Sequence, residues 1–256
     1  MAQELVRMNN ITKMYGSVQA LDSVSMTVNT GEIIGLVGDN GAGKSTLIKI
    51  LSGAYKATVG EIYFKDRAVK FENTRDAIEA GIETIYQDSA LVEQLSIARN
   101  LFLGREPTKT IGFLQKLDMA YMHSTSRKLL KQVGIHKNIN PDTRITALSG
   151  GERQSIAIAR AMFFEADLIV LDEPTNHLGV EETQGVLKFI KGTKETGHSS
   201  IFITHNIYHI FQVVDRIVIL RHGKKVADMR TVDTTIEEVE KIITGILEGQ
   251  TFDSDG

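Results

Sequence analysis

Short apolar runs alternate with helix-period segments along most of the chain, and that alternation predicts a mainly parallel sheet covered by helices on both faces. Three runs stand out: Ile33 to Val37, Leu168 to Leu171, and Ser200 to Thr204. Each is a nearly continuous stretch of β-branched and aliphatic residues, as a strand buried on both faces requires. Each also ends in polar residues. Ligands of open α/β sheets gather beyond the carboxyl ends of the strands, so these three endings are expected to meet in one crevice.

Elsewhere the period changes. The first 30 residues and the stretch Gly60 to Phe71 alternate, in Val18 to Val28 and Glu61 to Phe64, as antiparallel strands do; they predict a small β layer. From about Ser96 to Met162 the pattern is helical, interrupted by a loop from Gly104 to Asp118 that carries Pro107 and Gly112. The division expected is a single domain over 1–245: core and β layer at about 1–93 and 163–232, and an inserted helical lobe at about 94–162. Thr234 or Thr235, with Glu237 or Glu238 three residues on, forms a capping-box signal for a helix over about 234–245 that closes at Gly245. Residues 246–256 read as a tail, frayed from Gln250.

Composition narrows the function classes. At 256 residues the chain is long enough to bury a substantial core, and 42% hydrophobic with 24% charged residues excludes a disordered or fibrous protein. The balance of 29 basic against 32 acidic residues, net −3, offers no broad attraction for nucleic acid, so no such partner is expected. Cysteine is absent, which rules out disulfides and thiolate metal sites and suits a reducing cytosol. Neither a signal-peptide pattern nor a run of the ~20 apolar residues needed to span a bilayer is found, so a membrane role is expected to pass through other chains.

The chemistry begins at Gly38-Asp39-Asn40-Gly41-Ala42-Gly43-Lys44-Ser45-Thr46, which follows a strand and opens a helical pattern. That is the setting a phosphate-binding loop requires. Glycines let the backbone wrap an anion, N–H groups and the helix start point at it, Lys44 reaches the terminal phosphates, and Ser45 offers a hydroxyl to magnesium. Asp172 and Glu173 end the Leu168 strand; in such enzymes an Asp so placed holds the metal while an adjacent carboxylate orients or deprotonates the attacking water. Gln87 and His205 also end apolar stretches, Gln87 able to offer an amide oxygen to metal or water and His205 able to hydrogen-bond a γ-phosphate. His205 and His209 are spaced as a helical metal pair, without a third ligand to support a zinc site. On residue type alone, Tyr15 reads as a ring packed in the β layer. Ser149-Gly150-Gly151 opens a helix and supplies a hydroxyl, unhindered N–H groups and a positive dipole end, a second anion site.

Taken together, from about Leu5 to Gly245, these residues resemble the ATP-binding subunits of ABC transporters, most specifically at Leu148-Ser149-Gly150-Gly151-Glu152 and the helix Arg153 to Met162. The resemblance implies a phosphate-loop NTPase core of the RecA type, with ATP and Mg2+ as cofactors. By it, Tyr15 stacks on adenine, Val18 and the loop residues Gly38, Asn40, Gly41, Ala42, Gly43, Lys44, Ser45 and Thr46 bind the nucleotide, and Ser45, Gln87 and Asp172 surround the metal. Glu173 is then the general base, His205 the γ-phosphate sensor, and Ser149, Gly150 and Gly151 reach the nucleotide of a second copy, in a homodimer that forms on ATP. Two positions depart from the family pattern: Glu152 stands where many members have Gln, and Gly179 where many have an Asp that links the two sites.

Tyr86 to Val92, Asn100 to Glu106 and Thr234 to Val239 are further similar to the monosaccharide importers for ribose, xylose and fructose. That resemblance implies transmembrane permease subunits as partners, an external sugar-binding protein acting indirectly, and a peripheral place on the cytoplasmic face of the cell membrane. A soluble ABC protein acting on ribosomes or DNA is the competing class, to which Thr175 to Leu178 is similar. A non-catalytic regulatory subunit is the third; it predicts damage at Lys44, Asp172, Glu173 or His205, and none is damaged.

Overall fold

The buried apolar runs become strands, and the polar punctuation between them becomes the loops and caps that carry the site. From the amino terminus come β1 (Glu4–Tyr15), β2 (Val18–Asn29), β3 (Ile33–Val37), α1 (Lys44–Leu51), β4 (Val59–Phe64), β5 (Arg67–Val69), α2 (Thr74–Ala80) and β6 (Ile82–Ile85). Next are α3 (Ile97–Leu101), β7 (Thr108–Ile111), β8 (Leu114–Leu117), α4 (Met119–Gln132) and α5 (Gly150–Phe163). The remainder holds β9 (Leu168–Asp172), α6 (Val180–Glu195), β10 (Ser199–Ile203), α7 (Ile207–Val213), β11 (Arg216–Arg221), β12 (Lys224–Arg230) and α8 (Ile236–Thr244). The computed structural model describes residues 3–86, 91–111, 113–133, 135, 139–163, 166–176 and 178–248. Among them, no helix is long and apolar enough to cross a membrane.

Two compact units emerge. The first comprises Met1–Thr84, Ala166–Pro174 and Leu187–Gly256. It holds a sheet in the order β12-β11-β3-β10-β9-β6, in which β11, β3, β10 and β9 are parallel neighbours and β12 is an antiparallel edge. It also holds the expected antiparallel layer, in the order β2-β1-β4-β5. Strands β3, β9 and β10 are buried along their whole length, as their unbroken apolar sequences require. Register matters most at β10. Ile203 pairs with Leu36 on one side and with Asp172 on the other, so the ends of β3, β10 and β9 are flush.

Arg216, nearly buried at the start of β11, ties this unit together. Its Nε donates to Glu32 Oε1 at 2.7 Å, Nη1 to Asp228 Oδ1 at 2.7 Å and Nη2 to the Thr27 carbonyl at 2.7 Å. The Asp228 side chain is only 3% exposed. Removing the guanidinium leaves that carboxylate buried with Lys225 as its remaining partner. Arg216→Met is therefore expected to destabilise the chain by about 3 kcal/mol, read as a lower urea midpoint at unchanged slope.

The second unit comprises Ile85–Glu165 and Thr175–Val186. Its core gathers Ile97, Leu101 and Phe102 from the α3 region, Met122, Leu129 and Leu130 from α4, and Ile156 and Ala159 from α5. Asn100, wholly buried, accepts from the Val92 N–H at 2.7 Å and donates to the carbonyls of Val92 and Ser96 at 3.0 Å, fixing the segment ahead of α3. One expectation is corrected here. The stretch Gly104 to Asp118 is not structureless but contains a hairpin, β7 pairing β8 from Thr108↔Leu117 to Ile111↔Leu114. Four-residue strands as polar as Leu-Gln-Lys-Leu bury too little to show a period in the sequence. At the far end the capping box forms as read: Thr235 accepts from the Glu238 N–H, Glu238 accepts from the Thr235 N–H, and Gly245 ends α8 in the left-handed region. The tail from 249 lies outside the described residues.

Candidate nucleotide site

Strand β3 delivers the chain into the glycine loop, and α1 starts at Lys44. Gly38, Gly41 and Gly43 have φ of +145°, +81° and +105°, values that a side chain disfavours. Space adds a second demand at Gly43, where a Cβ would come within 2.7 Å of Leu21 Cδ2 and 2.9 Å of the Ala20 carbonyl. Ala42 is buried; Asn40 and Ser45 are exposed, and Thr46 is half-buried. Lys44 folds back over the loop, its Nζ donating to the carbonyls of Gly38 at 2.6 Å and Asp39 at 3.0 Å. Burial pulls its pKa below the usual lysine value, against the raising influence of Glu173, Asp172 and Asp39. A cation held this way, short of solvent, gains from an arriving phosphate.

Opposite stands Asp172, the last residue of β9 and only 7% exposed. Burial raises its pKa, and the charge of Glu173 adds to that; Lys44, Lys49 and a hydrogen bond from Ser45 act the other way. A buried carboxylate joined to a hydroxyl is a hard oxygen pair, the donor type that magnesium takes, so these residues fit the ion. Glu173 follows with φ of +51°, a left-handed backbone that is unusual for a glutamate. Its N–H donates to the Ile203 carbonyl at 2.9 Å. Its Oε2 lies 3.1 Å from His205 Nδ1, which emerges just past β10. Lys44, Ser45, Asp172, Glu173 and His205 are thus brought together at the flush strand ends.

Other expectations fare differently. His205 precedes α7 rather than lying on it, and Asn206 caps that helix through the His209 N–H, so no helical His205/His209 face exists. Tyr15, read from its type as packed, is 43% exposed at the end of β1; Val18 across the turn is 64% exposed. Gln87 lies outside the described residues, as does His177.

In the second unit, Leu148 is 8% exposed and anchors the approach to α5. Ser149 and Glu152 form a capping box: the Ser149 N–H donates to Glu152 Oε2 at 2.9 Å, and the Glu152 N–H donates to Ser149 Oγ at 3.2 Å. A Cβ at Gly150 would meet nothing, which leaves that backbone open. A Cβ at Gly151 would overlap the Glu182 side chain, and one at Gly179 would overlap the same carboxylate. The contacts of two residues, Glu152 and Glu182, were thus missed in the sequence. Glu152 was legible, since Ser149-x-x-Glu152 has the capping-box spacing. Glu182 was not, for an exposed glutamate in the first turn of a helix carries no mark of what it packs against.

Residues 21–176 match the family described as ABC transporter. A xylose/arabinose import ATP-binding protein of Sulfolobus acidocaldarius is 43% identical over 248 residues, covering 96% of each chain. A fructose import ATP-binding protein of Rhizobium meliloti is 40% identical, covering 97% of each. Among solved structures, a nucleotide-free ATP-binding cassette from an ABC transporter superposes with a TM-score of 0.79 at 24% identity, over 94% of this chain and 96% of that one. A dimeric cassette in a post-hydrolysis state, bound to ADP and Pi, gives 0.77 at 24% identity, over 89% and 99%. These neighbours share the expected fold, a phosphate-loop NTPase core with a mixed, largely parallel sheet and an antiparallel layer. With a family match over more than half of the chain, and relatives aligned almost end to end, the chain belongs to the ABC transporter family.

Proposed function

We propose that this chain is the ATP-hydrolysing subunit of an importer: two copies close on ATP and drive a monosaccharide through a separate permease. The observation that carries the hydrolytic part is the Glu173–His205 pair set beside Lys44 and Asp172. The loop amides and Lys44 hold the triphosphate, Tyr15 and Val18 the base. Ser45 and Asp172, with Gln87, hold magnesium, which supplies charge neutralisation at the phosphates. Glu173 takes a proton from the attacking water, whose oxygen bonds to the γ-phosphorus as the bond to the β-phosphate oxygen breaks. His205 orients Glu173 through Nδ1 and hydrogen-bonds the γ-phosphate. Ser149, Gly150 and Gly151 of the second copy stabilise the same phosphate from the opposite side.

Support for the sugar comes from the relatives, which are named for importing xylose/arabinose and fructose. The chain then sits at the inner face of the membrane against permease subunits, and an external binding protein delivers the sugar. A cell deleted for this chain should lose uptake of one labelled monosaccharide; the wild-type chain should restore it, and Lys44→Ala should not. Recovery of the tagged chain with ribosomes, and unimpaired uptake of every monosaccharide tested, would overturn the reading.

A further inference from the structure

Tyr15 does not stand alone. Its ring centre lies 6.0 Å from that of Tyr55, with the planes at 79°, an edge-to-face pair. Lys13 Nζ sits over both rings, 5.1 Å from the centre of Tyr15 and 6.0 Å from that of Tyr55, and Lys49 Nζ lies 5.3 Å from Tyr55. Both rings are partly exposed, Tyr15 at 43% and Tyr55 at 39%.

The segment that carries Tyr55 is stitched to the strand that carries Tyr15. The Tyr55 N–H donates to the Lys49 carbonyl at 2.8 Å, and the Lys56 carbonyl accepts from Lys13 Nζ at 2.7 Å. Thr58 closes the seam, its N–H donating to the Thr12 carbonyl at 2.8 Å and its Oγ1 accepting from the Met14 N–H at 3.0 Å. Lys49 joins the seam to the phosphate loop, since it lies on α1, the helix that opens at Lys44.

A half-exposed ring at a strand end has rotamer freedom to lose when a base stacks on it, and a second ring held at right angles removes that freedom beforehand. We propose that Tyr55 is a positioning residue for the nucleotide base: it sets the ring of Tyr15, with Lys13 bracing the pair, so that the purine meets a stacking surface already in place. This rests on the reading of Tyr15 as the base-stacking residue.

The test is titration calorimetry with ATP and with inorganic tripolyphosphate, together with steady-state hydrolysis, on the full chain. Tyr55→Leu should weaken ATP binding and raise KM by about three- to tenfold, the range expected for one aromatic pair, with kcat and tripolyphosphate affinity unchanged. Tyr55→Phe keeps the ring and should restore ATP affinity. Equal losses for ATP and tripolyphosphate would overturn the proposal, since only a general disturbance of the loop weakens both. Unchanged ATP affinity in Tyr55→Leu, with a loss in Tyr15→Leu, would overturn it while leaving Tyr15 in its role. No loss in Tyr15→Leu would remove the stacking reading itself.

Discussion

Glu173→Gln is expected to lower ATP turnover by about a thousandfold while ATP still binds, leaving a closed dimer that can be isolated in the presence of nucleotide. The amide keeps the size of the carboxylate and its hydrogen bond to His205 Nδ1, which now lies at 3.1 Å. It cannot accept a proton from water. The substitution also spares the phosphate loop, which is held from the other side by Lys44 and its two carbonyl partners. Single-turnover hydrolysis and size-exclusion chromatography with ATP check the two halves separately. A variant that turns over normally would remove Glu173 from its role, and one that stays monomeric in ATP would sink the paired-site mechanism.

The second large effect is complementation. Ser149→Phe removes the hydroxyl that accepts from the Glu152 N–H and puts a bulky ring at that turn, while Lys44→Ala removes the cation of the phosphate loop; each variant alone is expected to be nearly inactive. Mixed in equal amounts, they should recover activity. In half of the random pairs, one intact loop from the Ser149→Phe copy faces one intact turn from the Lys44→Ala copy, giving about a quarter of wild-type turnover if one site suffices. Loss of the Ser149 cap costs only about 1 kcal/mol, so the chain should stay folded. A mixture as inactive as its parts would mean that Ser149 does not serve the other copy's nucleotide.

Much of this was legible because phosphate chemistry demands backbone that only certain residues supply. Glycines at 38, 41 and 43 are forced by left-handed φ or by contact, and the strand before them by continuous burial; both demands are written in residue type. Asp172 and Glu173 were found the same way, as polar residues at the end of an apolar run. What escaped was long-range or marginal. The Thr108–Leu117 hairpin is too short and polar to show a period, and its pairing is set by neighbours rather than by pattern. The exposure of Tyr15 depends on where β1 ends relative to the 55–58 segment, forty residues on. Gly179 looked from the sequence like a missing carboxylate; in the fold, the carboxylate of Glu182 occupies the space beside it.

The pairing of Ile203 with both Leu36 and Asp172 has a mechanical meaning. One central strand serves as a rivet between the phosphate loop and the acidic pair, because a slip of one residue in either ladder would turn every side chain of the slipped strand to the other face. The loop that carries Lys44 and the strand end that carries Asp172 are therefore held to one register, so a change that shifts either strand is expected to displace both groups together.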